Sequence, residues 1–465
     1  MTIETSRLQA LRESVRGPVI VPGEEAYETA RRVWNGMIDR RPAAIVRCTG
    51  PADVIAAIRF AQAENLVTSI RGGGHSVAGK SVCDDGLVID LSAFRAVRVD
   101  PARQTARADG GATWGDFDHE TGAFGLATTG GMISSTGVAG LTLGGGIGWL
   151  MRKHGLACDN LLSVDLVTAD GRLIKADAKE HSDLFWGVRG GGGNFGVVTS
   201  FEFRVHPLPS VYGGMILHHL EDARDVLRFY REWAPSLPAA MNTFVAFNTA
   251  PPAPFIPAEL HGRRMLALAV VYAGDAAEGE ALARPLLTRR KPAFEHLGPL
   301  PYIVLQSMFD GAAPAGMQSY WKSAYLPGLP DAAVDTLAQH AATLPQPMSA
   351  MHIHQMGGAV RRVGAGETAF VHRDAEYCLN LVASWFDPAE NEANIAWTRT
   401  CFDAVQPYSR GVYVNFLGDE GEERVRASYG GDTYARLAAL KAAYDPTNFF
   451  RMNQNIVPNR AAASA

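Results

Sequence analysis

Cysteine is scarce in this chain: five residues in 465, with no C-x-x-C pair among them. Cys48, Cys83, Cys158, Cys378 and Cys401 are odd in number, which reads as free thiols in a reducing cytoplasm, not as a disulfide framework. No apolar run reaches transmembrane length, because glycines and charges interrupt each long one, so no membrane partner is expected. The N-terminal Met1-Thr2-Ile3-Glu4-Thr5-Ser6-Arg7 lacks a hydrophobic signal-peptide core, so export is not indicated. Positive charge is not in excess either. A net charge of −5 argues against the basic face that nucleic acid requires. Repeats and charge blocks are absent. So is a G-x-G-x-x-G motif opening a helix with an acidic residue about twenty positions on, which disfavours nicotinamide dinucleotides. With 47% hydrophobic and 20% charged residues, the composition is that of a soluble globular protein, and the length implies two domains.

Glycine, by contrast, is abundant. Arg71-Gly72-Gly73-Gly74-His75-Ser76 directly follows the apolar run Leu66-Val67-Thr68-Ser69-Ile70. Three glycines let backbone approach a large anionic ligand closely, and their amides form a nest for phosphate oxygens. A phosphate cradle has no need of an imidazole, whereas a dinucleotide with a reactive carbon nearby gives His75 a task. A tight turn with a solvated histidine is the other reading of this loop.

Further motifs follow in order: Gly130-Gly131, the run Thr136 to Trp149, Arg152-Lys153-His154-Gly155-Leu156-Ala157-Cys158-Asp159-Asn160-Leu161, and the run Asp183 to Val198. Tyr444-Asp445-Pro446-Thr447-Asn448-Phe449-Phe450 stands near the C-terminus. The order resembles the berberine-bridge-enzyme-like family of FAD-linked oxidoreductases, whose flavin domain is of the vanillyl-alcohol oxidase and para-cresol methylhydroxylase type. The resemblance runs from about residue 40 to 210 and from about 370 to the end, and is weak between. It implies an α+β fold: a two-part FAD-binding domain at 1–210 and 409–465, and a substrate domain at 211–408 with an antiparallel sheet covered by helices.

Local patterning agrees with this division. Residues 43–48 read as a strand, 51–64 as a helix with Val54, Ile58 and Ala61 at helical spacing, and 66–70 as the next strand. Short strands are expected at 87–91 and 104–108, and a hairpin at 162–175 turning on Asp170-Gly171. Beyond His206-Pro207 come amphipathic stretches at 222–233 and 331–344, a strand-like run at 265–272, and a proline-rich surface loop at 250–254.

The resemblance implies that His75 is bonded through a ring nitrogen to the 8α-methyl carbon of FAD, and a neutral imidazole is a competent nucleophile for that bond. Noncovalent FAD with His75 packing beside it is the alternative. Arg71, Gly72, Gly73, Gly74, Ser76 and Gly79 are the expected companions of His75. Gly137, Val138, Gly140, Leu141 and Thr142 are expected along the isoalloxazine and diphosphate, with Gly145 and Gly148 nearby. Gly193, Gly196 and Val198 are expected on the diphosphate and adenine side, with Tyr413, Asn415 and Asn453 from the C-terminal return. Val138 is expected to set a side chain beside the flavin face that oxygen approaches. Many relatives carry a second link from a cysteine. Aligning Gly144-Gly145-Gly146 with the family's triple glycine puts that position at Ile133, so Cys158 reads as a small buried hydrophobe. The chain in this respect resembles the singly linked bacterial members, among them hydroxynicotine oxidases.

The base is less legible. Gly411-Val412-Tyr413-Val414-Asn415-Phe416 resembles the family's Tyr-x-Asn-Tyr motif with its second tyrosine replaced. Read as a strand, it sets Tyr413 and Asn415 on one face and Val414 and Phe416 on the other. Tyr413 is a candidate for proton removal or for a structural role against the flavin. Asn380 and Cys378 occupy the strand leading to Trp385, where relatives face substrate. His352 and His354 share one face of another strand, so His354 is a further candidate. Their His-x-His spacing also fits metal, but no further ligand clusters with it and none is expected. The implied activity is an FAD-dependent oxidase: hydride passes from a small alcohol, sugar or amine to flavin, and O2 restores the flavin with release of H2O2. A dehydrogenase using another acceptor and a catalytically degenerate flavin-binding protein are the alternatives.

Overall fold

The computed structural model describes residues 3–459; Met1, Thr2 and the last six positions of the expected C-terminal segment lie outside the described residues. Four strands open the chain: β1 (Val19–Ile20), β2 (Ala44–Arg47), β3 (Thr68–Arg71) and β4 (Leu87–Asp90), in the order β1-β2-β4-β3. β4 pairs in parallel with both β2 and β3. Parallel strands need a crossover, and helix Pro51–Ala63 provides it between β2 and β3. Pro51 suits the first helical position, where no N–H is required. Asp53 in the first turn accepts from the backbone N–H of Arg16, Gly17 and Thr49, which fixes the helix start against the N-terminal segment. Val54, Ala57, Ile58 and Ala61 are buried along one face, packed with Val46, Leu87 and Ile89. Burying Val54 and Ile58 contributes on the order of 1.5–3 kcal/mol each.

The next strands are β5 (Val97–Asp100), β6 (Thr105–Asp109), β7 (Leu126–Ala127), β8 (Leu161–Val167), β9 (Leu173–Asp177), β10 (Val197–Arg204) and β11 (His206–Pro207). Five form an antiparallel sheet, β5-β6-β10-β8-β9, while β7 and β11 pair separately. The β8–β9 hairpin turns where expected, with Gly171 at φ +75°. Trp114, Phe117, Phe201 and Phe203 lie in the core against this sheet, and helix Gly431–Tyr444 brings Leu437 and Leu440 to the same core from the far end of the chain. Lys441 holds that return in place. Its buried Nζ pairs with Asp445 at 2.7 Å and donates to the carbonyls of Asn194 and Phe450.

Between these parts lies a seven-stranded antiparallel sheet: β12 (Ser210–His219), β13 (Met241–Thr249), β14 (Arg264–Tyr272), β15 (Phe294–Pro301), β16 (Gln318–Leu326), β17 (Ala350–Gln355) and β18 (Tyr377–Trp385). Its order is β15-β12-β14-β13-β17-β18-β16. β14, β17 and β18 are expected from the sequence. β13 is not, because it is buried along most of its length and shows no alternation, nor is β15, whose Pro299 and Pro301 are tolerated only at a sheet edge. Helices Ala223–Trp233, Ala276–Arg289, Asp331–Ala341 and Asn391–Val405 bury one face, with Leu268, Ile353 and Leu379 beneath them. Period-two alternation sends Phe244, His354 and Asn380 to the opposite face. Among the described residues, no helix is long and apolar enough to cross a membrane.

The segment 411–416 corrects the sequence reading. It is not a strand: Arg410 makes one isolated bridge to Tyr325, and Val414–Phe416 is a single 3-10 turn. Without a ladder partner the chain curls, and the Phe416 ring lies 4.8 Å from that of Tyr413 instead of on an opposite face.

Candidate active site

The glycine loop begins at the end of β3 with an ion pair. Arg71 donates from Nε and Nη2 to the fully buried carboxylate of Asp90 at 3.1 and 2.7 Å, and from Nη1 to the Arg32 carbonyl. The Arg71 guanidinium, expected at the cofactor, is therefore a structural clamp on the strand ends. Beyond it the loop lies directly on the segment 135–137: a Cβ on Gly73 would stand 2.4 Å from the Gly137 nitrogen. That close approach sets His75 against Ser135, with Nε2 2.8 Å from Oγ. Trp34 stacks on the imidazole at 5.1 Å and 19°, and is itself anchored by its indole N–H to the Ala313 carbonyl. Burial lowers the His75 pKa to about 4, so the ring is neutral at physiological pH. Ser76 accepts from the Lys80 N–H, and Gly79, at φ +70°, faces the Ile38 side chain.

The remaining glycines divide by what surrounds them. A Cβ on Gly140 or Gly193 would meet nothing within 4 Å, so the protein's own packing leaves room at both. Thr142 Oγ1 and Asn453 Oδ1, beside them, are buried without a partner, while Asn453 Nδ2 donates to the Gly193 carbonyl. Open backbone, orphaned polar atoms and a neutral histidine fit a long polar cofactor such as FAD. Gly145, Gly148 and Gly196 are packing positions instead, where a Cβ would stand 2.8 Å from the Phe370 ring, 1.9 Å from the Gly130 oxygen and 2.6 Å from the Val167 oxygen. The Val138 side chain, expected beside the flavin, is fully buried in the core with Ala112, Trp114 and Leu143, and Val198 lies in the same core. Cys158 is fully buried between Ile147, Met151 and Phe370, and burial pushes its thiol pKa up, consistent with a small hydrophobe.

The Tyr413 oxygen accepts from the backbone N–H of Gly146 at 2.8 Å and Ile147 at 3.3 Å, and from Asn415 Nδ2 at 2.8 Å. Asn415 Nδ2 also donates to the Leu141 carbonyl. Burial raises the phenol's pKa despite these donors, so Tyr413 is a neutral phenol whose oxygen ties down the Gly144–Gly148 loop. It is poorly suited to act as a base.

The sheet face opposite the helices brings the other candidates together. Ser323, Asn380 and His352 lie side by side across β16, β18 and β17, and the next row is Tyr325, Cys378, His354 and Phe244. Both ring nitrogens of His354, Asn380 Oδ1, Ser323 Oγ, Tyr325 OH and Trp321 Nε1 are buried without a hydrogen-bond partner. Burial lowers the pKa of His352 to about 4 and, with some help from His352, that of His354 to about 3. A series of ring contacts joins this face to His75: Trp34 to Trp321 at 5.6 Å, Trp321 to Phe416 at 5.7 Å, Phe416 to His354 at 5.8 Å and His354 to Phe244 at 4.9 Å. Trp34, Ser135, Phe244, Trp321 and Ser323 carry no motif, and only strand register and domain packing bring them here. Among the described residues, no group of three or more His, Cys, Asp or Glu gathers as for a metal ion.

Fold and site together define a flavin-dependent oxidoreductase. A family model described as an FAD binding domain matches residues 42–177, and one described as berberine and berberine like matches residues 412–457. The chain is 31% identical to an FAD-linked oxidoreductase of Dictyostelium discoideum over 454 residues, covering 96% of each protein. It is 31% identical to the (R)-6-hydroxynicotine oxidase of Paenarthrobacter nicotinovorans over 470 residues, covering 96% of this chain and 97% of that enzyme. The crystal structure of 6-hydroxy-D-nicotine oxidase from Arthrobacter nicotinovorans superposes with a TM-score of 0.87 at 28% identity, over 96% of this chain and 99% of that one. The chain belongs to the berberine-bridge-enzyme-like family of FAD-linked oxidoreductases.

Proposed function

We propose that the protein is an oxidase that removes hydride from a small alcohol, sugar or amine, with FAD held covalently through His75 and O2 as the final electron acceptor. The observation that carries this reading is the cluster of unpartnered neutral polar atoms on the inner sheet face, connected by a series of ring contacts to His75. Buried polar groups without partners are costly in a folded protein and mark where a ligand completes the bonding. Bound FAD supplies the two-electron acceptor for substrate oxidation.

The protein's own groups do the rest. His75 presents a neutral imidazole, steadied by Ser135 and Trp34, and its lone pair is the nucleophile for the flavin link. His354, held neutral by its burial, accepts the hydrogen bond of the substrate's hydroxyl or amine through a ring nitrogen that has no partner within the protein, and bound water takes the proton as the hydride departs. Asn380 orients the same group through Oδ1. Tyr413 acts on the site by positioning, through the loop that it ties down.

Two measurements test this reading. Denatured protein run on a gel should retain flavin fluorescence; His75→Ala should lose it and Cys158→Ala should keep it. Colour that washes out of the denatured parent would establish noncovalent FAD. Anaerobic mixing with alcohols, sugars and amines should bleach the flavin, and air should restore it with one H2O2 per turnover. A flavin bleached only by dithionite would identify a binding protein. Sluggish return in air with fast return to an artificial acceptor would identify a dehydrogenase.

A further inference from the structure

Two neighbours place the His75 imidazole, Ser135 at its edge and Trp34 over its face, and neither lies in a helix or strand. Ser135 occupies the corner of a four-residue turn that the Thr136 N–H closes on the Ile133 carbonyl, and it is exposed. Loop backbone of this kind lacks the ladder that fixes a sheet residue, so its geometry depends on what it is tied to. Among the described residues, the His75 ring hydrogen-bonds to Ser135 alone. The tautomer that donates from Nε2 to Ser135 Oγ leaves the lone pair on Nδ1.

Both neighbours are tied to one segment distant in sequence, the connection from β15 to β16 at residues 302–317. Asp310 Oδ1 accepts from the Ser134 N–H at 2.7 Å, while the Ser134 carbonyl accepts from the Gly115 N–H at 2.8 Å, so the turn is held from both sides. Earlier in the connection, Gln306 Nε2 donates to the Gly131 carbonyl at 3.1 Å and to Asp118 Oδ2 at 2.8 Å, fixing the chain that enters the turn. Later in it, the Ala313 carbonyl accepts the Trp34 indole N–H at 2.9 Å, and the Gly316 N–H donates to the Trp34 carbonyl at 2.9 Å. A single connection from the seven-stranded sheet therefore grips the residue at the edge of the imidazole and the residue over its face.

We propose that the β15–β16 connection builds the flavin-attachment site, with Asp310 as the positioning residue that holds Ser135, and through it the His75 imidazole, in line for bond formation. This rests on the covalent-FAD reading and extends it to the sheet that faces substrate. In the attachment the His75 lone pair forms the N–C bond to the 8α-methyl carbon. One proton leaves that carbon and one leaves the imidazole, and the electron pair of the broken C–H bond reduces the flavin. O2 then takes up the two electrons with two protons as H2O2. A misplacement of about 1 Å costs such a step on the order of 100-fold, and alignment is what Asp310 supplies.

The test uses the full chain from riboflavin-starved cells, mixed in air with saturating FAD. Acid-precipitable flavin is followed over time, and FAD affinity is measured from the change in flavin fluorescence on binding. Asp310→Ala should attach flavin ~10–100-fold more slowly than the parent, with FAD affinity unchanged. Asp310→Asn keeps an acceptor oxygen and should attach close to the parent's rate. Ser135→Ala, at an exposed position, should slow attachment too, and adding Asp310→Ala to it should slow it little further, because both act on one contact. Attachment at the parent's rate in Asp310→Ala or in Ser135→Ala would overturn the proposal. So would fully additive losses in the double variant, or a loss of FAD affinity that accounts for the whole effect. Each of those leaves covalent FAD standing, whereas a parent that never holds acid-precipitable flavin would overturn both.

Discussion

Replacing Tyr413 by phenylalanine separates positioning from catalysis in this site. The substitution keeps the ring, with its contacts to Phe416 at 4.8 Å and Phe370 at 6.1 Å, and removes one oxygen. That oxygen is the acceptor for the Gly146 and Ile147 N–H groups and for one N–H of Asn415. Gly146 and Ile147 are buried, so water cannot replace the lost acceptor. Leaving a buried donor unsatisfied costs about 1–3 kcal/mol, and the 3.3 Å contact is the weaker, so the total should be about 2–4 kcal/mol. At ~2–4 °C per kcal/mol for a large domain, the melting temperature should fall by several degrees. Thermal melting of the flavin-loaded variant, followed by flavin fluorescence, measures this, and stopped-flow reduction measures the chemistry in parallel. Flavin reduction should drop less than about tenfold, with an unchanged pH profile, because a phenol of raised pKa is not the base. A variant as stable as the parent but slower by two to four orders of magnitude would refute the positioning role and make Tyr413 an acid–base group.

Val138→Leu adds a methylene to a fully buried position and should cost about 1–3 kcal/mol in stability, with air reoxidation changed less than about twofold. Strongly slowed reoxidation in a stably folded variant would return the side chain to the flavin. Asp118, buried beside Gln306 where helix Trp114–Gly122 meets helix Tyr302–Gln306, has its pKa raised by burial to about 7. Because this lies above the unfolded value near ~3.9, its stabilising contribution is complete below about pH 4 and is lost as pH rises towards 7. Asp118→Asn should flatten that slope, gaining at most on the order of 4 kcal/mol at pH 8, and parallel melting profiles of variant and parent across pH 5–8 would refute it.

The sequence by itself determined the cofactor half of this protein. Glycines in consecutive positions encode backbone shape locally, so the His75 loop, the Gly137–Gly148 run and the Gly190–Gly196 run could be read as places where chain passes close to chain or ligand. The crossover helix and the β8–β9 hairpin were legible for the same reason: their signals lie within a dozen neighbouring residues. Tertiary structure alone decided which glycines face open space and which, like Gly148, are pressed against other backbone. It also decided that Arg71 belongs to Asp90 and that Val138 belongs to the core, because pairing and burial depend on elements distant in sequence. The 411–416 segment has strand-like alternation but no ladder to join, and a strand without partners does not persist. The substrate face was the least legible part. Ser323, Asn380, His354 and Phe244 come from four different strands and meet only through register, which a single sequence specifies only once the sheet has formed.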